Sequence, residues 1–227
     1  YVKQQASKKT SIDFSAAKLE SKSKPSLAYI SPIPPEQTGI ADYSAELLPE
    51  LARYYEIHIV SDQTQITDPW LLANFPLHSA AWFHAHAVQF DRILYHVGNS
   101  AYHSHMFDLL RAHPGVVVLH DFYISNIVSH LEHTGMKPNF WTQSLYEAHG
   151  YSALVKNART KNVHEVIWQF PCNAGVVEPA KGIIVHSQFS LTLAEQWYGK
   201  QVAQSWTYIP HLRCLPQAFV QSEAKQS

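Results

Sequence analysis

Polar residues that could do chemistry follow directly on apolar runs at several places in this chain. "VVVLHD" ends in His120 and Asp121; "LYHVGNSAYH" carries Gly98, Asn99 and His103; "GIIVHS" ends in His186 and Ser187, and "YIPH" in His211. A neutral imidazole donates through one nitrogen and accepts through the other, which suits it to hold a sugar hydroxyl or orient a reactant. The same residue also serves as a hydrogen-bonded histidine in a strand-end turn, so His120 has two readings. Asn99 offers donor and acceptor atoms to a polyol, or acts as a turn residue or helix cap. In "SPIPPEQTGIADYSAELL", Gly39 precedes a helix, where a glycine lets a phosphate approach the backbone; a tight turn asks for the same residue. Asp42 and Tyr43 suit acceptor contact, or a helix cap and a packing residue beneath the helix. Ser187 reads as a helix cap.

These turns need a scaffold to bring them together. "SLAYIS", "EIHIV", "RILYHV", "VVVLH", "GIIVHS" and "WTYIPHL" read as strands, and helical spacing fills most of the intervals. "VVVLH" shows no alternation, which is the pattern of a strand buried on both faces of a parallel sheet. The alternation predicts an α/β, Rossmann-like doubly wound fold, mainly parallel, with helices on both faces. Ligands of such sheets lie beyond the carboxyl ends of the strands, which would put Gly39, Asn99, His120 and His186 along one rim. Pro49 is expected to kink the first helix or delay its start. Ser100 is expected to cap the helix "SAYHSHMFDLLRAH", and residues 63–78 show no clear pattern.

With 227 residues, 46% of them hydrophobic, the chain can bury a large core. A formal charge of -1 provides no broad positive field, so nucleic acid is not an expected partner. Gly39 stands outside any G-x-G-x-x-G, and a dinucleotide gains no support. Cys172 and Cys214 form no C-x-x-C, which fits a reducing compartment. Fifteen histidines raise the question of a metal. Yet "HAH" at His84 and His86, "HSH" at His103 and His105, and "HLEH" at His130 and His133 lack H-E-x-x-H or cysteine-rich zinc spacing, and no metal is assigned. No apolar run reaches the roughly 20 residues of a bilayer span. Residues 1–25 read as a polar linker or disordered arm, 26–216 as the domain, and 217–227 as a polar tail or the start of an inter-domain linker.

The ordered series "SPIPPEQTGIADYSAELLPELA", "ILYHVGNSAYHSHMFDLLRAHPGVVVLHDF", "AKGIIVHSQFS" and "YIPH" resembles the N-terminal domain of family 4, group-1 retaining glycosyltransferases of the GT-B fold. It covers most of residues 26–211. Bacterial mannosyl- and other hexosyltransferases of polysaccharide assembly are similar. The resemblance implies two Rossmann-like domains facing a cleft, the first holding the acceptor and the second a nucleotide sugar, a GDP- or UDP-hexose. It implies a functional histidine at His120, a loop near the donor diphosphate at Gly39, and acceptor contacts at Asp42, Tyr43, Asn99, His103 and Asp121. No cofactor is implied beyond the donor substrate, and the acceptor would be a glycan or a lipid-linked sugar, with a cytoplasmic enzyme touching the inner face of a membrane.

One departure is large. The family's donor domain carries two glutamates eight positions apart, and no pair here has that spacing. The first residue is Tyr, and the chain ends where an inter-domain linker would begin. A fragment without the donor half is therefore expected, one that folds but transfers no sugar alone. A non-catalytic, Rossmann-like module for carbohydrate recognition or interaction is the alternative.

Overall fold

The computed structural model describes residues 23–63 and 65–212. The arm over residues 1–22 and the tail from 213 onward, Cys214 included, lie outside the described residues.

Seven strands form one sheet: β1 (Ser26–Ile30), β2 (Glu56–Val60), β3 (Leu77–His78), β4 (Arg92–Val97), β5 (Val116–Leu119), β6 (Gly182–Val185) and β7 (Thr207–Tyr208). Their order is β3-β2-β1-β4-β5-β6-β7 and every neighbouring pair is parallel. This is the Rossmann-like doubly wound arrangement that the strand-helix alternation implies. The order in which strands are added reverses at β1, so a crevice opens between the loops after β1 and β4.

The strands alternate between two cores. Leu27, Tyr29, Ile57 and Ile59 pack with Leu48 of α1 (Gly39–Leu51) and Leu71 of α2 (Pro69–Asn74). On the other face Ala28, Ile30, Tyr95, Val97, Val117 and Leu119 meet Phe83 of α3 (Ala80–His86) and Leu110 of α4 (Met106–Ala112). The same cluster takes in Ile127 of α5 (Ser125–His133), Trp141 of α6 (Phe140–Arg159), Val166 of α7 (Val163–Gln169) and Leu193 of α9 (Gln188–Tyr198). The short α8 (Ala174–Val177) adds Val176. Burying each large aliphatic side chain contributes roughly 1.5–3 kcal/mol, and it is this two-sided burial that fixes the strand register.

Three local expectations change. Pro49 sits two residues before the end of α1, where only the last turn loses a backbone bond, and the helix starts at Gly39. Ser100 makes no capping bond; its hydroxyl meets Nδ1 of His103 at 3.1 Å, and a 3₁₀ turn, Ala101–His103, precedes α4. Residues 63–78 contain α2, capped by Asp68 with Pro69 at its first position, and β3. Among the described residues no helix is long and apolar enough to cross a membrane.

Gly115, at the entry to β5, is a point of close approach. A Cβ there would lie 2.7 Å from the carbonyl oxygen of Ile93 and 2.9 Å from its Cβ. The neighbouring strand's backbone cannot yield as a side-chain tip can, so Gly115→Ala should cost about 1–3 kcal/mol, read as a lower urea midpoint at unchanged slope.

Candidate functional site

The Pro-rich loop after β1 is held by local polar contacts. The Gln63 side-chain amide pairs with the backbone of Ile33, accepting from its N–H at 2.7 Å and donating to its carbonyl at 2.6 Å. Beneath, the buried hydroxyls of Tyr29, Ser44 and Ser31 are linked, with Tyr29 donating to Ser44 at 3.0 Å and the two serines 2.8 Å apart. The loop ends at Thr38, whose side-chain oxygen caps α1 by accepting from the Ala41 N–H at 3.0 Å. Thr38, and not Asp42, is therefore the cap; Asp42 lies exposed in the first turn, complementing the helix dipole.

A cleft of about 510 Å³ opens at the carboxyl rim, lined by Gly39, Asn99, His103, His120, Asp121, His186 and His211 among others. All seven, each singled out in the sequence, thus share one cavity wall. Tyr43 lies beneath it, buried, its ring 5.3 Å from those of His120 and His186, 4.7 Å from His211 and 5.9 Å from His96. Asp42 is outside the lining. Gly39 has an ordinary backbone, and a Cβ there would meet nothing within 4 Å. The tight-turn reading of Gly39 falls away, because neither the turn nor packing demands a glycine. Gly98 is different: a Cβ would lie 2.4 Å from Ile40 Cδ1, 3.1 Å from His103 and 3.2 Å from Asp121. Its missing side chain lets the loops after β1, β4 and β5 converge.

Asn99 and Asp121 spend part of their capacity on the fold. Asp121 Oδ2 accepts from the Asn99 N–H at 2.9 Å, and Asn99 Oδ1 accepts from the Ile127 N–H at 3.0 Å, capping α5 from outside it. Its side-chain NH₂ remains available to a ligand.

The ring hydrogen bonds fix which nitrogens carry protons. His186 Nδ1 lies 2.8 Å from the Ile209 carbonyl, which can only accept, so Nδ1 is protonated and Nε2 is a bare lone pair. His103 Nδ1 meets the carbonyl and hydroxyl oxygens of Ser100 at 3.2 and 3.1 Å, and its Nε2 is bare by the same argument. Both Nε2 atoms are buried without a protein partner, as are those of His96 and His105. Buried polar atoms are normally satisfied, so the two on cleft-lining rings, His103 and His186, mark ligand or water sites.

All these rings are neutral near pH 7. Burial, with neighbouring imidazoles adding to it, lowers His120 to about 3 and holds His96 well below the usual range. His103 falls to about 4, again mainly by burial, and His186 is lowered for the same reason. Among the described residues no lysine or arginine lines the cleft, and Asp121 is the one formal charge. The site offers lone pairs, amide donors and a carboxylate, which is a set matched to hydroxyl groups and poor for multiply charged anions.

Comparison of the sequence with protein-family models found no match, and comparison with curated proteins found none either.

His96 escaped the sequence reading. It lies inside "RILYHV" as an ordinary strand residue, yet it is fully buried on the α1 face, its ring 4.6 Å from that of Tyr29. A histidine inside an otherwise apolar strand was the available signal, since such a ring must find a partner.

Charging these rings requires opening the core. The unfolded chain takes up protons below pH 6.5 that the folded His96, His103 and His120 refuse, so stability is full above pH 6.5 and is lost as pH falls towards 3. At pH 5 unfolding should take up about three protons, a slope of up to roughly 4 kcal/mol per pH unit. Urea melts at pH 7, 6 and 5 test this; a pH-independent midpoint would show that the rings are not buried neutral.

Proposed function

We propose that this chain is the acceptor-binding half of a retaining hexosyltransferase, holding a glycan or lipid-linked sugar in the rim cleft. A partner domain of the same protein would supply the GDP- or UDP-hexose. The observation that carries this reading is the composition of the cleft: bare imidazole nitrogens, amide donors and one carboxylate, with no cationic side chain among the described residues, at the switch point of a doubly wound sheet. The motif series of the sequence supports the choice of transferase, and mannose is its preferred hexose.

In such a transfer the bond between sugar and diphosphate breaks while positive charge spreads over the ring, so oriented dipoles do more than a strong base. His120, lowered to about 3, is too weak a base to hold a proton at neutral pH. It acts instead as a neutral hydrogen-bonding group that fixes a sugar hydroxyl at the reacting edge. The amides of Gly39 and Ile40, at the start of a 13-residue helix, provide positive potential where the leaving phosphate would approach, over a glycine whose Cβ position is empty. Balancing cations for the diphosphate belong to the partner domain in this reading.

A non-catalytic carbohydrate-recognition module is the second reading, favoured by the low basicity of His120. The two differ in turnover. In the protein carrying its donor domain, His120→Ala should lower kcat for hexosyl transfer by about 100- to 1,000-fold with an unchanged circular dichroism spectrum. Near-normal turnover would remove His120 from the mechanism, and no transfer from any GDP- or UDP-hexose would favour the module. In either case saturation-transfer NMR on this chain should detect mannose or glucose at millimolar concentration and no binding of inorganic phosphate. The reverse order would overturn a hydroxyl-binding cleft.

A further inference from the structure

Three ring systems lie in series along the carboxyl edge. His96 Nδ1 is 3.0 Å from His120 Nε2; the rings of His120 and His186 have centroids 4.9 Å apart; and His186 Nδ1 donates to the Ile209 carbonyl. The first link can run in either direction. If His120 donated, His96 would be left with its proton on Nε2, as a fully buried N–H with no acceptor. If His96 donates, its Nε2 is a bare, buried lone pair on a ring 4.6 Å from that of Tyr29 and 5.9 Å from that of Tyr43. Orphaned buried donors are rarer than under-used acceptors, which selects the second arrangement.

We propose that His96 is a positioning residue that locks His120 as the Nδ1–H tautomer, so that His120 and His186 together recognise one ligand hydroxyl. The rest follows from the inventory of donors and acceptors. With Nε2 occupied by His96, the remaining His120 nitrogen, Nδ1, has no protein partner and presents an N–H at the cleft. His186, from the neighbouring strand end, has a bare lone pair on Nε2, buried in the cleft wall on a ring whose centroid is 4.9 Å from that of His120. A hydroxyl accepts from the first and donates to the second, completing a one-directional chain from His96 through His120, the ligand oxygen and His186 to Ile209. A phosphate or carbonyl oxygen can only accept; it satisfies His120 and leaves His186 Nε2 facing another lone pair. An ammonium group only donates and fails at His120. The pair therefore selects a hydroxyl over either alternative, with His96 setting the direction.

The role given to the ligand hydroxyl rests on the sugar-binding reading, whereas the tautomer does not. The ring ¹⁵N shifts of His120 at pH 7, from two-bond proton-nitrogen correlations on this chain, should show Nδ1 protonated and Nε2 bare. His96→Phe removes the donor and should return His120 to the Nε2–H form or a mixture. His96→Asn places an amide donor near the position of Nδ1 and should restore the Nδ1–H form. A wild-type His120 protonated at Nε2, or a tautomer unchanged in His96→Phe, overturns the proposal; the wild-type spectrum alone decides if His96→Phe does not fold. With the tautomer established, titration of mannose and of its deoxy analogues into wild type and His96→Phe tests the hydroxyl. Loss of one hydroxyl should weaken binding to wild type at least tenfold and to the variant far less. Equal losses in both would retain the tautomer lock and reject its role in recognition.

Discussion

The rim of this domain depends on imidazole rings remaining uncharged. His96, His120 and His186 surround the ring of Tyr43 at 5.3–5.9 Å, and burial holds all three below the usual histidine range. Taking an ion out of water costs several kcal/mol even after the protein relaxes. Neutral rings instead stack on the tyrosine and bond to one another. Tyr43 belongs to α1, and the histidines come from the ends of β4, β5 and β6, so this one contact joins four parts of the sheet edge. Where charged residues would have spread apart, these draw the loops together and leave a cleft beside them.

Convergence also demands an absence. Gly98 gives up a side chain so that Ile40, His103 and Asp121 can close around it. The carboxylate and amide that follow then bind neighbouring backbone: Asp121 steadies the Asn99 amide, and Asn99 steadies the start of α5. These residues tie the crevice to the helix behind it while their unused atoms face the cavity. The same side chains that brace the fold therefore line the cleft.

The sheet was readable because β1 and β5 are apolar without alternation and because polar residues mark the strand ends. Convergence of Gly39, Asn99 and His120 at one rim followed from the doubly wound topology alone. Other features depend on partners distant in sequence. The sequence reading offered Asp42 as the cap and passed over Thr38, since the choice rests on where the backbone turns into α1. Ser100 lost its capping role to His103 because a 3₁₀ turn intervened. The helix α2 occupies six residues, too few for a periodic pattern to declare itself. Tautomers of His103 and His186 depend on the Ser100 and Ile209 carbonyls, and no residue spacing encodes them.

The sheet also narrows outward: β3 and β7, its outermost strands, have two residues each, against five in β1 and six in β4. An open strand edge is a template for adding another chain, and its danger grows with the number of free backbone groups in a row. Two-residue borders present too little ladder for a second molecule to zip onto. A sheet of seven parallel strands can in this way stand in crowded solution without recruiting copies of itself through its flanks.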